Sequence, residues 1–183
     1  FNGQLPVTFR SGPVPIAAPF PDLQFGINQG NFTCFDQLFN ITAIAEPGNS
    51  YCVANVNSTG SPSLISGSGS TSVSQNDLEL DAGPIQPGEN SLFYYGPAQA
   101  QVPFGNGVRC VSGVVHRLFP VSVADAAGLV PHDLDIANPP GGAGSAAQIT
   151  AGSTWNFQNW YRDPLGGGAG FNLSDGLDVT ITP

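Results

Sequence analysis

The stretch Gly176-Leu177-Asp178-Val179-Thr180-Ile181-Thr182 alternates apolar and polar residues without a break. A period of two puts Leu177, Val179 and Ile181 on one side of an extended chain and Asp178, Thr180 and Thr182 on the other, as in a half-buried β-strand. The same period recurs upstream, and no segment longer than ten residues carries a helical stripe. Strands are expected over residues 38–45, 50–56, 72–82, 91–95, 108–119, 154–161 and 176–182. Between them lie turn-forming clusters at 46–49, 66–70, 83–90, 139–145 and 164–170. Short strands at such spacing, without room for crossover helices, predict an all-β chain. The expected architecture is a two-sheet antiparallel β-sandwich of jelly-roll or Ig-like kind.

The first residues read differently from the body. Leu5, Val7 and Phe9 alternate with Pro6, Thr8 and Arg10, a strand whose proline suits a sheet edge. Residues 11–21 (SGPVPIAAPFP) read as an extended linker, because proline fixes φ and removes donors. The expected division is an N-terminal extension over residues 1–23, with an extended strand and proline-rich linker, and a sandwich domain over 24–183. An apolar strand on a stiff linker is the arrangement expected if it adds to the sheet of a neighbouring copy. Repeated head to tail, such a contact does not close and generates a homopolymer. The competing arrangement folds the strand back onto its own domain.

Composition narrows the partners. Only 9% of the residues are charged, none is lysine, and four arginines (Arg10, Arg109, Arg117, Arg162) leave a net charge of −9. Phosphate neutralisation needs clustered cations, so nucleic acid is excluded as a partner. No apolar run approaches the ~18–20 residues of a membrane span. The chain begins at Phe1 and not at Met, which is read as processing after removal of a secretory signal. Four Asn-x-Ser/Thr triplets, at Asn31, Asn40, Asn57 and Asn172, are candidate sites for covalent glycans. Chance gives roughly two. The cysteines are Cys34, Cys52 and Cys110, with no C-x-x-C or His/Cys metal spacing, so a disulfide is the natural reading. We pair Cys52 with Cys110 and leave Cys34 as the odd thiol; a Cys34–Cys52 pairing stays open.

Several stretches share a pattern. Tyr51-Cys52 with Asn57-Ser58-Thr59-Gly60, Leu92-Phe93-Tyr94-Tyr95-Gly96, Pro103-Phe104-Gly105-Asn106-Gly107-Val108-Arg109-Cys110, and Thr154-Trp155-Asn156-Phe157-Gln158-Asn159-Trp160-Tyr161-Arg162-Asp163-Pro164 are the most specific of them. With these, residues 51–183 resemble a β-rich domain found at the C-terminal ends of uncharacterised secreted proteins from environmental bacteria. The resemblance implies export, a Cys52–Cys110 bridge and a sandwich fold, and no catalytic residues. Residues 1–50 lie outside it.

Candidate chemistry is sparse. His132-Asp133 with Asp135 has the residue types of a metal or acid-base site, but a polar strand or loop edge is the favoured reading of them. Asp77, Glu79 and Asp81 share one face of a strand, a set of hard oxygens that suits Ca²⁺ or a solvated outer face. No other cofactor or metal is expected. There is no Gly-x-Ser-x-Gly elbow, and the absence of lysine removes P-loop and Schiff-base chemistry. Trp155, Trp160 and Tyr161, with Phe157, form the densest aromatic cluster and the candidate carbohydrate-binding platform, although Trp155 and Phe157 alternate to one side as core residues would. The function expected is therefore non-enzymatic: an extracellular structural subunit, pilus-like or in a surface layer, assembling through Leu5, Val7 and Phe9 and glycosylated at the triplets. The alternative is a secreted carbohydrate-binding or adhesion module.

Overall fold

The computed structural model describes residues 46–140 and 142–183. Leu5, Val7 and Phe9, the linker, the expected strand over 38–45, Cys34, and the triplets at Asn31 and Asn40 lie outside the described residues. The described residues belong to one compact unit.

The described chain is all-β and its strands pair antiparallel. Ten strands follow one another: β1 (Asn49–Tyr51), β2 (Leu64–Ser68), β3 (Glu79–Gly83), β4 (Asn90–Gly96), β5 (Ala98–Phe104), β6 (Gly107–Ser112), β7 (His116–Val123), β8 (Val130–Asp133), β9 (Thr154–Arg162) and β10 (Phe171–Thr180). Five of them form one sheet in the order β1-β10-β9-β4-β7. A smaller sheet, β2-β3-β8, shares a core with it, and β5-β6 stands as a separate hairpin. Among the described residues no helix is long and apolar enough to cross a membrane.

Alternation explains the core. Trp155, Phe157 and Tyr161 of β9, Phe93 and Tyr95 of β4, and Leu177 and Val179 of β10 all turn to one side. There they meet Ile65, Leu80, Ala82 and Val130 from the smaller sheet. Burial of such side chains contributes ~1.5–3 kcal/mol each. Ile136, Ala147 and Ile149, from the irregular segment between β8 and β9, pack into the same cluster.

Several elements differ from the sequence expectation, each for a local reason. The single strand expected over 108–119 is two, because the chain turns at Gly113, whose φ of 80° is costly for residues with a Cβ. The strand expected over 72–82 is regular only from Glu79; Ser72, Gln75 and Asn76 are spent on a local turn. That expected over 50–56 stops at Tyr51. Three strands escaped the pattern. β2 reads as a Ser/Gly turn because only Ile65 and Gly67 face inward, and β8 is four residues long with Pro131 in it. β5 is almost wholly exposed and so has no reason to alternate.

Candidate functional site

The parity that fills the core also empties the other face of the large sheet. Trp160, Tyr94 and Leu173 point away from Trp155, Phe157 and Tyr161 and join a second, smaller cluster with Val111 and Phe171. The expected platform of Trp155, Trp160 and Tyr161 is thus split by its own sheet. Trp155 and Tyr161 are buried core residues, and only Trp160 keeps a partly open ring. The reason is arithmetic: 155 and 161 are an even number of residues apart and 160 is not.

Over that second face lies the β5-β6 hairpin, and one side chain does most to hold it there. Gln158 of β9 is fully buried. Its Nε2 donates to the carbonyls of Val108 (2.8 Å) and Ser174 (2.7 Å). Its Oε1 accepts from the Cys110 amide (2.8 Å) and from the Tyr94 hydroxyl. All of its hydrogen-bonding capacity is used, across three strands. The Cys52–Cys110 disulfide is present beside it, with Cα atoms 6.0 Å apart and a sequence separation of 58. Tyr51 donates its hydroxyl to the Cys110 carbonyl at 3.0 Å. Closing a loop of that length stabilises the fold by ~4 kcal/mol in the chain-entropy model.

Where the hairpin ends, a groove of about 510 Å³ remains open. Leu92, Tyr94, Trp160 and Leu173 line it from β4, β9 and β10, with Phe104, Phe171 and Val115. The Phe171 ring lies 5.6 Å from Trp160 and 5.3 Å from Phe104, centroid to centroid, both tilted. Gly105 permits this approach: its φ is 63°, and a Cβ there would sit 2.2 Å from the Phe171 ring. Arg109 and Arg117 also line the groove. Burial pushes the Tyr94 phenol well above its usual range, and the Arg109 charge nearby pulls it partly back.

His132, Asp133 and Asp135 come together along one pocket of about 200 Å³, with Tyr95 and Arg117. His132 packs its ring on Phe93, centroids 5.4 Å apart, while Asp133 is exposed. Asp135 accepts from the amides of Ala137 and Asn138 and from the side chains of Asn76 and Asn138, which holds its carboxyl below the usual range. Asp77 leaves the strand face shared by Glu79 and Asp81 and accepts from the Ser70 amide at 3.1 Å. Among the described residues no three His, Cys, Asp or Glu side chains gather as a metal cluster.

Burial depresses the His132 pKa, with Asp133 opposing. A base whose folded pKa is lowered binds fewer protons folded than unfolded. Its contribution to stability is therefore complete above ~6.5 and is lost as pH falls from there toward the folded value. Thermal melts should show stability declining below about pH 6.5, and His132→Gln should flatten that limb. Buried Asp175, whose pKa is raised, acts in the opposite sense.

Two glycan candidates sit at buried positions. Asn57 is 7% exposed; its Nδ2 donates to the Pro84 carbonyl (2.8 Å) and the Tyr161 hydroxyl (3.0 Å), and its Oδ1 accepts from the amide and hydroxyl of Thr59. Asn172 is fully buried, its Nδ2 on the Val56 carbonyl and its Oδ1 on the Leu173 amide. A sugar on either nitrogen would displace these bonds and the packing around them. Here the Asn-x-Thr pattern at Asn57 marks an Asx turn, in which the side-chain oxygen meets the backbone two residues on.

The last feature is an edge. β7 ends the large sheet, paired with β4 on one side and with no strand on the other among the described residues. Phe119, Val121 and Val123 along it are 68%, 48% and 55% exposed. β1 forms the opposite edge of the same sheet. Compared with family models, curated proteins and solved structures, the chain matches none.

Proposed function

We propose that this chain is a non-enzymatic structural subunit, exported from the cell, that assembles into an extracellular filament or surface layer. The strand at Leu5, Val7 and Phe9 of one copy adds to the sheet of the next. The observation that carries this reading is the β7 edge: eight residues long, unpaired on its outer side among the described residues, and apolar where edges are usually guarded by charge or brevity. Pro120 is the one proline within it and Arg117 the one arginine. A donor strand within residues 1–23 and an acceptor at β7 are different surfaces of the same chain, so the contact is heterologous and propagates instead of closing. A β-sandwich is the fold on which such an addition builds most directly. Export is supported by the disulfide and by the resemblance to secreted bacterial domains. Within this reading, N-linked sugars are left to Asn31 and Asn40.

Deleting residues 1–21 tests the assignment. Sedimentation of the full chain should show polymers and that of the deleted chain monomers with unchanged β-sheet circular dichroism. Polymers from the deleted chain would sink the proposal.

A further inference from the structure

We propose that the groove between the β5-β6 hairpin and the outer face of β4, β9 and β10 is a binding site for an acidic sugar, a pyranose carrying a carboxylate within a polysaccharide. Two independent features of the groove meet in that ligand. The first is shape and surface. A cleft of about 510 Å³ falls within the ~300–1,000 Å³ of small-molecule sites. Trp160, Phe104 and Phe171 give it aromatic surfaces tilted toward one another, against which the C–H faces of a pyranose ring pack.

The second feature is charge. The chain has four arginines and no lysine, and two of the three arginines in the described residues, Arg109 and Arg117, line this one groove. They stand on β6 and β7, on strands that do not pair with each other. On a chain of net charge −9 they form a local positive site in a surface that otherwise repels anions. A guanidinium presents a planar fork that matches a carboxylate with two parallel hydrogen bonds. Aromatic surface without the arginines would suit a neutral sugar, and two cations without the aromatics would suit any small anion. A polyphosphate backbone needs a longer run of cations than two. A ring with an apolar face and a carboxylate uses both.

This site does not depend on filament formation. A strand added beyond β7 extends the sheet in its own plane, on the β7 side where Arg117 stands and away from β4 and β9. The test is calorimetric titration of the full chain with tetramers of galacturonic, glucuronic and mannuronic acid, and with the methyl esters of the same tetramers. The esters keep the ring and remove the charge. At least one acid tetramer should bind, with its ester at least tenfold weaker. Arg109→Gln combined with Arg117→Gln should weaken the acid tetramer at least tenfold while leaving the melting temperature unchanged. Phe104→Ala, at an exposed ring, should weaken acid and ester alike. Binding of none of the three acids, equal binding of acid and ester, or full binding by the double arginine variant would each overturn the proposal.

Discussion

Gln158→Leu should destabilise the domain by about 3–5 kcal/mol, the largest effect expected of any single substitution outside the hydrophobic core. Leucine has nearly the right volume, so the loss is not one of packing. It lies in what the change leaves behind: two carbonyls, at Val108 and Ser174, one amide, at Cys110, and the Tyr94 hydroxyl, all facing an apolar side chain. Each buried polar group without a partner costs ~1–3 kcal/mol, reduced where water reaches it. Gln158→Glu should be nearly as damaging, because it places a charge where two donated bonds originate. Urea titration measures both. The β5-β6 hairpin should also loosen first, giving faster amide exchange at Val108 and Cys110 than in the core strands. A loss below about 1 kcal/mol in Gln158→Leu would show that the disulfide, the Tyr51–Cys110 bond and packing hold the hairpin without Gln158.

The second large effect is on assembly. Val121→Lys with Val123→Lys places two charges on the β7 edge at side chains about half exposed, so the fold should tolerate them to within ~0.5 kcal/mol each. Inserted beside an incoming strand, the same charges lose water without gaining partners, the device by which natural edges resist pairing. Polymers should disappear while the melting temperature holds. The same pair of lysines at Ser66 and Ser68, on the exposed side of β2, is the control and should leave polymers intact. Unchanged polymerisation of the β7 variant would move the acceptor elsewhere.

What the sequence made legible follows from how many neighbours each pattern needs. β9 and β10 declare themselves because the apolar side chains Trp155 and Phe157, and Leu177 and Val179, alternate with polar ones, although both strands are buried on both faces. β5 declares nothing, since almost every one of its residues meets solvent. The Cys52–Cys110 bridge was named from the resemblance and is present. The burial of Asn57 and Asn172 was not legible, because a triplet carries no information on burial; Asn57 uses the same Thr59 that defines the triplet to close a turn. The aromatic platform failed by one residue of parity. Its surviving member, Trp160, gains its neighbours from β4, β5, β6, β7 and β10. Such a groove has no signature in any single stretch of sequence. The one local hint was that Trp160 falls out of register with Trp155 and Phe157.

The most direct test joins the two ends of the proposed contact. With Cys34→Ser to remove the odd thiol, Val7→Cys and Val121→Cys are introduced together in the full chain and oxidised, then run on a non-reducing gel. The account predicts a ladder of covalent multimers that collapses to one band on reduction, as strand and edge belong to successive copies. A single band of monomer size, with the two introduced cysteines linked within one chain, would place the strand on its own domain and contradict assembly by strand exchange.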